Sequence, residues 1–423
     1  MAGRAPVRGI GFITALVCAL ALVSYPLFFM GREAPREVPD LMVLEIASFD
    51  DLPGWGTTDL RPTIDVFDRS CRRIALFGGV GQPMGGEDLI WGLKEDWQEP
   101  CQGLNNYHIM GRAQLEEDAL GFFQSFFTPI RIRNNAETTG LFTGYYEPEL
   151  RGNRTQSEEF NTPLLSRPED LVMVQLRDFP GDYNGRIAGR VVDGNLRPYE
   201  SREEIEASGV AGAEPIVWID DPVDAFFLHI QGSGRVVLDD GSVVRVGYAG
   251  QNGHPYTAIG RILVQEGNIA LEDASMQSIR TWLATHEGPE ANRILNTNAS
   301  YIFFTELDIP DPNLGPLGAS GIQLTPEVSL AVDRRYHALG APVYVAMETP
   351  DGEQFNRLMV SQDTGGAIRG PIRGDVFWGF GDDAAAMAGR MRSQGEMWVL
   401  VPNAVAERIA AAQEADLTDA AAE

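Results

Sequence analysis

Between Arg131 and Pro402 the apolar residues come in short β-branched and aromatic runs separated by Gly, Pro, Asn and Asp, and this texture constrains the fold more than any single motif. Runs such as IAGRVVDG, PIVWIDD and AFFLHIQGSGRVVLDDGSVVRVGYAG read as strands, because such side chains suit a pleated surface and the residues between them suit turns. RVVLDDGSVVRVGYA predicts a hairpin in which Asp240–Gly241 supplies the positive φ of a tight turn. A second β stretch runs from Tyr301 to Pro402 through LAVDRRYH, APVYVAMET, RLMVSQDTG and EMWVLVP. Its short, Gly-punctuated strands suit a small closed barrel. Helical spacing is confined to residues 63–76, 113–127 (stopping at Thr128–Pro129), 275–286 and the insert DDAAAMAGRMRS. Residues 403–423 form an Ala/Glu-rich tail, helical or frayed. The expected class is mainly β with accessory helices, without internal repeats.

Ahead of this β sequence lies an uncharged apolar run of 22 residues, Gly9–Met30, long enough at 1.5 Å per residue to cross a hydrocarbon core of roughly 30 Å. Ala19 and Ala21 offer a cleavage site, but LVSYPLFFM continues beyond them, which favours an uncleaved signal-anchor. Cys18 follows Val17, where lipid attachment requires a small residue. Arg4 and Arg8 on one side and Arg32 and Arg36 on the other leave the helix poorly oriented by charge. Residues 31–45 read as a charged, Pro-containing linker, so the soluble part is expected from Ile46. A net charge of -27 leaves no basic footprint for nucleic acid. Cys71 and Cys101 lack metal-type spacing and are either a disulfide, permitted in an exported chain, or two buried thiols.

The five histidines, His108, His229, His254, His286 and His337, are scattered without a zinc-ligand pattern, so no metal and no cofactor are expected. GxSxG is absent, LGASGI having its Gly at the wrong offset, and no Cys lies in a papain-like context. RVGYAGQNG and FGGVGQPMGG match neither a Walker loop nor a dinucleotide fingerprint and read as tight turns. Asp363 stands apart. It ends the apolar run RLMV and precedes Thr364, Gly365 and Gly366, which puts a carboxylate at a strand end beside backbone that a bulky ligand can approach. Two other readings remain open on spacing alone: an Asx-type turn, and an aspartic-protease DTG, which would need a second copy to share its proton.

The strings FTGYYEPEL, YESREEIEASG, DPVDAFFLHIQGSGRV, VGYAGQNGHPYTAIGRIL, SMQSIRTWLATHE, NASYIFFTE, SLAVDRRYHALGAPVYVA and QDTGGAIRGPIRGDVFWGFG resemble the membrane-bound lytic murein transglycosylase A family, in order, over roughly residues 130–402. The resemblance implies a double-ψ β-barrel domain (46–146 and 300–402, with a three-aspartate domain at 320–402), an inserted β domain (147–299) and a glycan groove between them. The family's three aspartates map onto Asp333, Asp363 and Asp375, with Asp363 the catalytic acid and Asp375 and Asp333 supporting or structural. It also implies cleavage of the β-1,4 bond between N-acetylmuramic acid and N-acetylglucosamine with closure of a 1,6-anhydro ring.

One carboxyl can suffice for that reaction, because the nucleophile is the sugar's own tethered C6 hydroxyl. Asp363 would then need a proton affinity raised by burial or by Asp375. Tyr145, Tyr146, Tyr248 and Trp378 are candidates to stack on sugars, Thr143, Gln231 and Asn252 to bind acetamido or hydroxyl groups, and Gly365 and Gly366 to admit the glycan. The partners expected are peptidoglycan strands and, through the amino-terminal segment, a membrane, placing the chain in the periplasm. The sequence names no partner in a cell-wall enzyme complex. A non-catalytic wall-binding scaffold is the competing reading, against which the intact Asp363 and its following glycines argue.

Overall fold

The computed structural model describes residues 39–77, 81–86, 90–110, 118–181, 183, 185–286, 288–309 and 311–422. The expected membrane segment at residues 9–30 and residues 113–117 of the second expected helix lie outside these. Among the described residues no helix is long and apolar enough to cross a membrane. The chain divides into two compact units, Pro148–Pro310 and the residues that precede and follow it.

The chain first lays down β1 (Met42–Ile46), β2 (Phe127–Asn134) and β3 (Gly140–Glu147). It then builds the inserted unit from β4 (Glu149–Asn153), β5 (Thr162–Leu165), β6 (Val172–Gln175), β7 (Arg186–Val192), β8 (Asn195–Pro198), β9 (Pro215–Ile219), β10 (Ser233–Leu238), β11 (Val243–Gln251) and β12 (Ile302–Glu306). These form a six-stranded sheet, β12-β11-β10-β4-β9-β5, and a separate meander, β6-β7-β8. β10 and β11 are the expected hairpin, with Gly241 at φ +80°. Afterwards come β13 (Ser329–Val332), β14 (Pro342–Glu348), β15 (Gln354–Asp363), β16 (Arg373–Phe380) and β17 (Arg392–Pro402).

β17, β14, β15, β13, β16 and β3 follow one another as neighbours, and β3 pairs back onto β17 to close a six-stranded barrel. Two of its pairings, β13 with β15 and β16 with β3, are parallel. Closure removes the exposed edges that a short open sheet would carry. Residues Pro342–Met347 of β14 are buried on both faces, which explains why APVYVAMET reads as a continuous apolar run and not as an alternation. Helices Arg61–Phe77 and Ala119–Phe126 bury Phe67, Phe122 and Phe123 in one core with barrel residues, Phe67 meeting Phe127 of β2 at 5.5 Å. Thr63 donates to Leu358 O of β15 at 2.6 Å. A disulfide joins Cys71 to Cys101, tying the first of these helices to helix Gln98–Met110. The tail forms helix Asn403–Ala422, docked by buried Val405 and Ala406 and by Arg408, 2.6 Å from Asp96.

Four sequence expectations change. AFFLHI, read as strand, lies in helix Pro222–Gln231: Asp221 caps it by accepting from Val223 N, Pro222 occupies the first turn, and Gly232 ends it at φ +83°. The helix before Thr128–Pro129 ends at Phe126, and β2 runs through Pro129. The linker assigned to residues 31–45 includes most of β1, because Met42–Ile46 pairs with β2. The return to the barrel comes later than residue 300, since β12 pairs with β11 of the inserted sheet.

Candidate active site

β15 ends at Asp363, and the register of its neighbours sets a row of side chains across four strands. Ala331 of β13 pairs with Asp363 on one side and with Asp375 of β16 on the other, and Asp375 in turn pairs with Thr143 of β3. At roughly 4.8 Å per strand the two aspartate backbones stand about 10 Å apart. Tyr145 lies two residues beyond Thr143, on the same face of β3. Its ring lies 5.3 Å from that of Phe377.

Asp363 is half-buried and held at both oxygens. Ala319 N donates to Oδ1 at 2.9 Å, and the Tyr145 hydroxyl donates to Oδ2 at 3.0 Å. Burial raises its proton affinity above the usual carboxylate range, opposed by the Ala319 and Thr364 amides and by Tyr145. The Tyr145 hydroxyl holds its own proton well above the ordinary range, first through desolvation and then through the charges of Asp363 and Asp375. It therefore acts as a donor to Asp363.

Asp375 is only 4% exposed and is not presented to a ligand. Thr143 donates to its Oδ1 at 2.5 Å and itself accepts from Arg373 Nη2 at 2.8 Å. Burial pushes the carboxyl up to about 6; Thr143 and Arg373 oppose this, and the charge of Asp363 adds to it. Asp333 is fully buried and anchors the loop after Asp363. Its Oδ2 accepts from Gly370 N at 2.9 Å and pairs with Arg335 Nη2 at 2.6 Å. Burial works against its charge, but Arg335 and the Gly370 amide prevail and hold the carboxyl below its ordinary value.

The expected sugar contacts fare unevenly. Tyr145 and Thr143 join the aspartate cluster, Gly365 is half-buried beside Asp363, and Gly366 is exposed. Tyr146 is half-buried on β3. Trp378 lies on the face of β16 opposite Asp375, where its indole donates to Met391 Sδ at 3.0 Å and packs 5.4 Å from Phe355. That corrects its assignment as a sugar platform. Asn252 is likewise structural: fully buried in the inserted unit, it donates to Glu200 O and Ala299 O and accepts from Tyr301 N. Gln231 is half-buried at the end of its helix, and Tyr248 is 40% exposed beside Arg186 and Met173.

Ala319 was not singled out by sequence, since a backbone amide leaves no side-chain signal. The usable trace was LGASGI: a Cβ on Gly318 would come within 2.7 Å of Gln362 O, so only glycine lets this loop lie against β15. Arg373, which donates to Thr143, was also missed.

A closed mixed barrel that presents one hydrogen-bonded carboxyl, buries two more, and is interrupted by a self-contained β unit defines an insert-bearing three-aspartate barrel protein. Residues 141–305 match the family model of the MltA specific insert domain, and residues 328–401 match that of the 3D domain. The crystal structure of MltA from Neisseria gonorrhoeae shares 32% identity at a TM-score of 0.69, covering 86% of this chain and 95% of that one. Membrane-bound lytic murein transglycosylase A of Escherichia coli K12 is 33% identical over 266 residues, which are 61% of this chain and 65% of the relative's length. A structure of E. coli MltA with bound chitohexaose shares 25% identity at a TM-score of 0.52, covering 80% of this chain and 90% of that one. This chain belongs to the membrane-bound lytic murein transglycosylase A family.

Proposed function

We propose that the protein is a peptidoglycan lytic transglycosylase that cleaves the β-1,4 bond between N-acetylmuramic acid and N-acetylglucosamine and leaves a 1,6-anhydro-N-acetylmuramic end. The observation that carries this reading is the grip on Asp363, a half-buried carboxyl fixed by Ala319 N and the Tyr145 hydroxyl with its proton affinity raised by burial. Protonated Asp363 gives its proton to the glycosidic oxygen as that bond breaks. The resulting carboxylate then takes the proton of the C6 hydroxyl as its oxygen bonds to C1, so the proton count closes without water. Ordinary glycosidases need a second carboxylate to activate water or attack carbon. Here Asp375 is too deeply buried for that role, and the tethered hydroxyl removes the need for it.

Asp375 tunes and positions, while Asp333 holds the following loop. E. coli MltA binds chitohexaose, a β-1,4 chain of N-acetylglucosamine, and that supports a glycan strand as the substrate class here. The apolar run Gly9–Met30 supports attachment to a membrane, with the catalytic part in the periplasm. The test is digestion of purified murein sacculi with mass spectrometry of the released muropeptides. Anhydro products, one water lighter than reducing sugars, support the reading; water-added products or intact sacculi contradict it.

A further inference from the structure

The inserted unit contains a cavity of about 720 Å³ unconnected with any role given above to a residue near Asp363. Its volume falls in the ~300–1,000 Å³ range of small-molecule sites. Trp218, Phe226, Leu165, Ile205, Leu295 and Pro215 give it an apolar lining. Two ring residues more than nine-tenths buried, His229 and Tyr301, lie in its wall with centroids 4.3 Å apart. His229 Nδ1 accepts the backbone N–H of Ile302 at 3.0 Å, which places the ring proton on Nε2. Neither that Nε2–H nor the Tyr301 hydroxyl meets a hydrogen-bond partner among the described residues. Two polar groups left this way in an apolar wall normally mark a place for a ligand or water.

Charge narrows the ligand. Arg202, 1% exposed, is bound at all three of its nitrogens within the protein: Nη1 on Glu206 at 2.8 Å, Nε on Asn298 O and Nη2 on Ser300 O. His229 stays neutral, because burial and then Arg202 hold its proton affinity well below the ordinary value. The lining thus pairs its one cation, Arg202, with its one carboxylate, Glu206, and offers a donor at His229, a donor or acceptor at Tyr301, and apolar surface beside them. We propose that this cavity is a second ligand site that takes an acetamido sugar, its carbonyl oxygen accepting from His229 and Tyr301 and its methyl group lying among the apolar side chains. Gln156 and Asn161 at the exposed rim then face the sugar hydroxyls. The site lies away from the candidate contact Gln231, which is two residues from His229 on one helix and so points nearly oppositely.

The test is calorimetric titration of the full chain with N-acetylglucosamine, with glucose as the control lacking the acetamido group. Saturable binding of the acetylated sugar alone is expected. Tyr301→Phe removes a hydroxyl that holds nothing in the protein, so the fold survives while affinity falls up to roughly tenfold. Ala213→Phe fills the cavity and abolishes binding; if it fails to fold, Tyr301→Phe decides. Equal binding of glucose, equal affinity in wild type and Tyr301→Phe, or no binding overturns the proposal. Release of anhydro products from sacculi, measured on the same samples, reports on Asp363 separately.

Discussion

The Tyr145 hydroxyl donates to Oδ2 of Asp363 at 3.0 Å, from a strand three places away in the barrel and 218 residues earlier in the chain. This bond favours the ionised carboxylate and, with the larger effects of the Ala319 and Thr364 amides, opposes the rise in proton affinity that burial imposes on Asp363.

Tyr145→Phe keeps the ring against Phe377 and removes only the donor. Without it Asp363 binds its proton more tightly, and the alkaline limb of the pH–rate profile moves to higher pH. Since Tyr145 acts through Asp363, the loss in kcat should stay well short of the ~10²–10⁴-fold that general acid–base groups supply. An unmoved limb measured on soluble glycan strands would contradict the positioning role.

Asp375 carries a stability signature. Its folded value of about 6 exceeds the unfolded one of 3.8, so the folded state binds this proton more tightly. The stabilising contribution is therefore full below about pH 4 and is lost as pH rises through about 6, a change of ~3 kcal/mol. In Asp375→Asn, whose amide oxygen still accepts from Thr143, denaturant unfolding should lose this share of the pH dependence. Parallel wild-type and variant curves across that range would refute it.

Asp333→Ala leaves the Gly370 amide without its buried acceptor and Arg335 without its carboxylate. A loss of about 2–4 kcal/mol is expected by chemical denaturation, with anhydro-product release reduced because the loop after Asp363 is no longer tied down. An unchanged midpoint would show that Asp333 does not anchor this loop.

The Cys71–Cys101 bridge closes a loop across a 30-residue separation. In the chain-entropy description such a loop stabilises by about 3–4 kcal/mol. Reduction, or Cys71→Ser with Cys101→Ser, should lower the unfolding free energy by that order while leaving the Asp363 site intact.

What the sequence disclosed follows from how each signal is encoded. DTGG directly after an apolar strand made Asp363 a candidate beside an Asx-type turn, and only the resemblance over residues 130–402 singled it out, whereas the strands of the barrel were legible from their composition. Helix Pro222–Gln231 was misread because it is buried on two sides, Ala225 and Leu228 among strands and Phe226 and Phe227 among helices, so its apolar residues run consecutively and mask the helical period; the Asp221–Pro222 start and the Gly232 stop were the better guides. The Ala319 amide could not be read, since it reaches Asp363 only through tertiary packing permitted by Gly318. Aromatic character alone misled at Trp378, where the alternation of β16 assigns the indole to the face opposite Asp375. Asn252 misled for a related reason: a polar side chain near glycines reads the same whether it meets a ligand or, as here, carbonyl groups of its own domain.

The most direct test of the account is Asp363→Asn in the sacculus assay, with folding verified by an unchanged far-ultraviolet spectrum and thermal transition. Asparagine keeps the shape, with its amide oxygen accepting from Ala319 N and its amide nitrogen able to donate to the Tyr145 oxygen, but it has no carboxyl proton to give. The account predicts that release of 1,6-anhydro muropeptides falls by at least the ~10²–10⁴-fold typical of an acid–base residue. Undiminished release from the folded variant would contradict it.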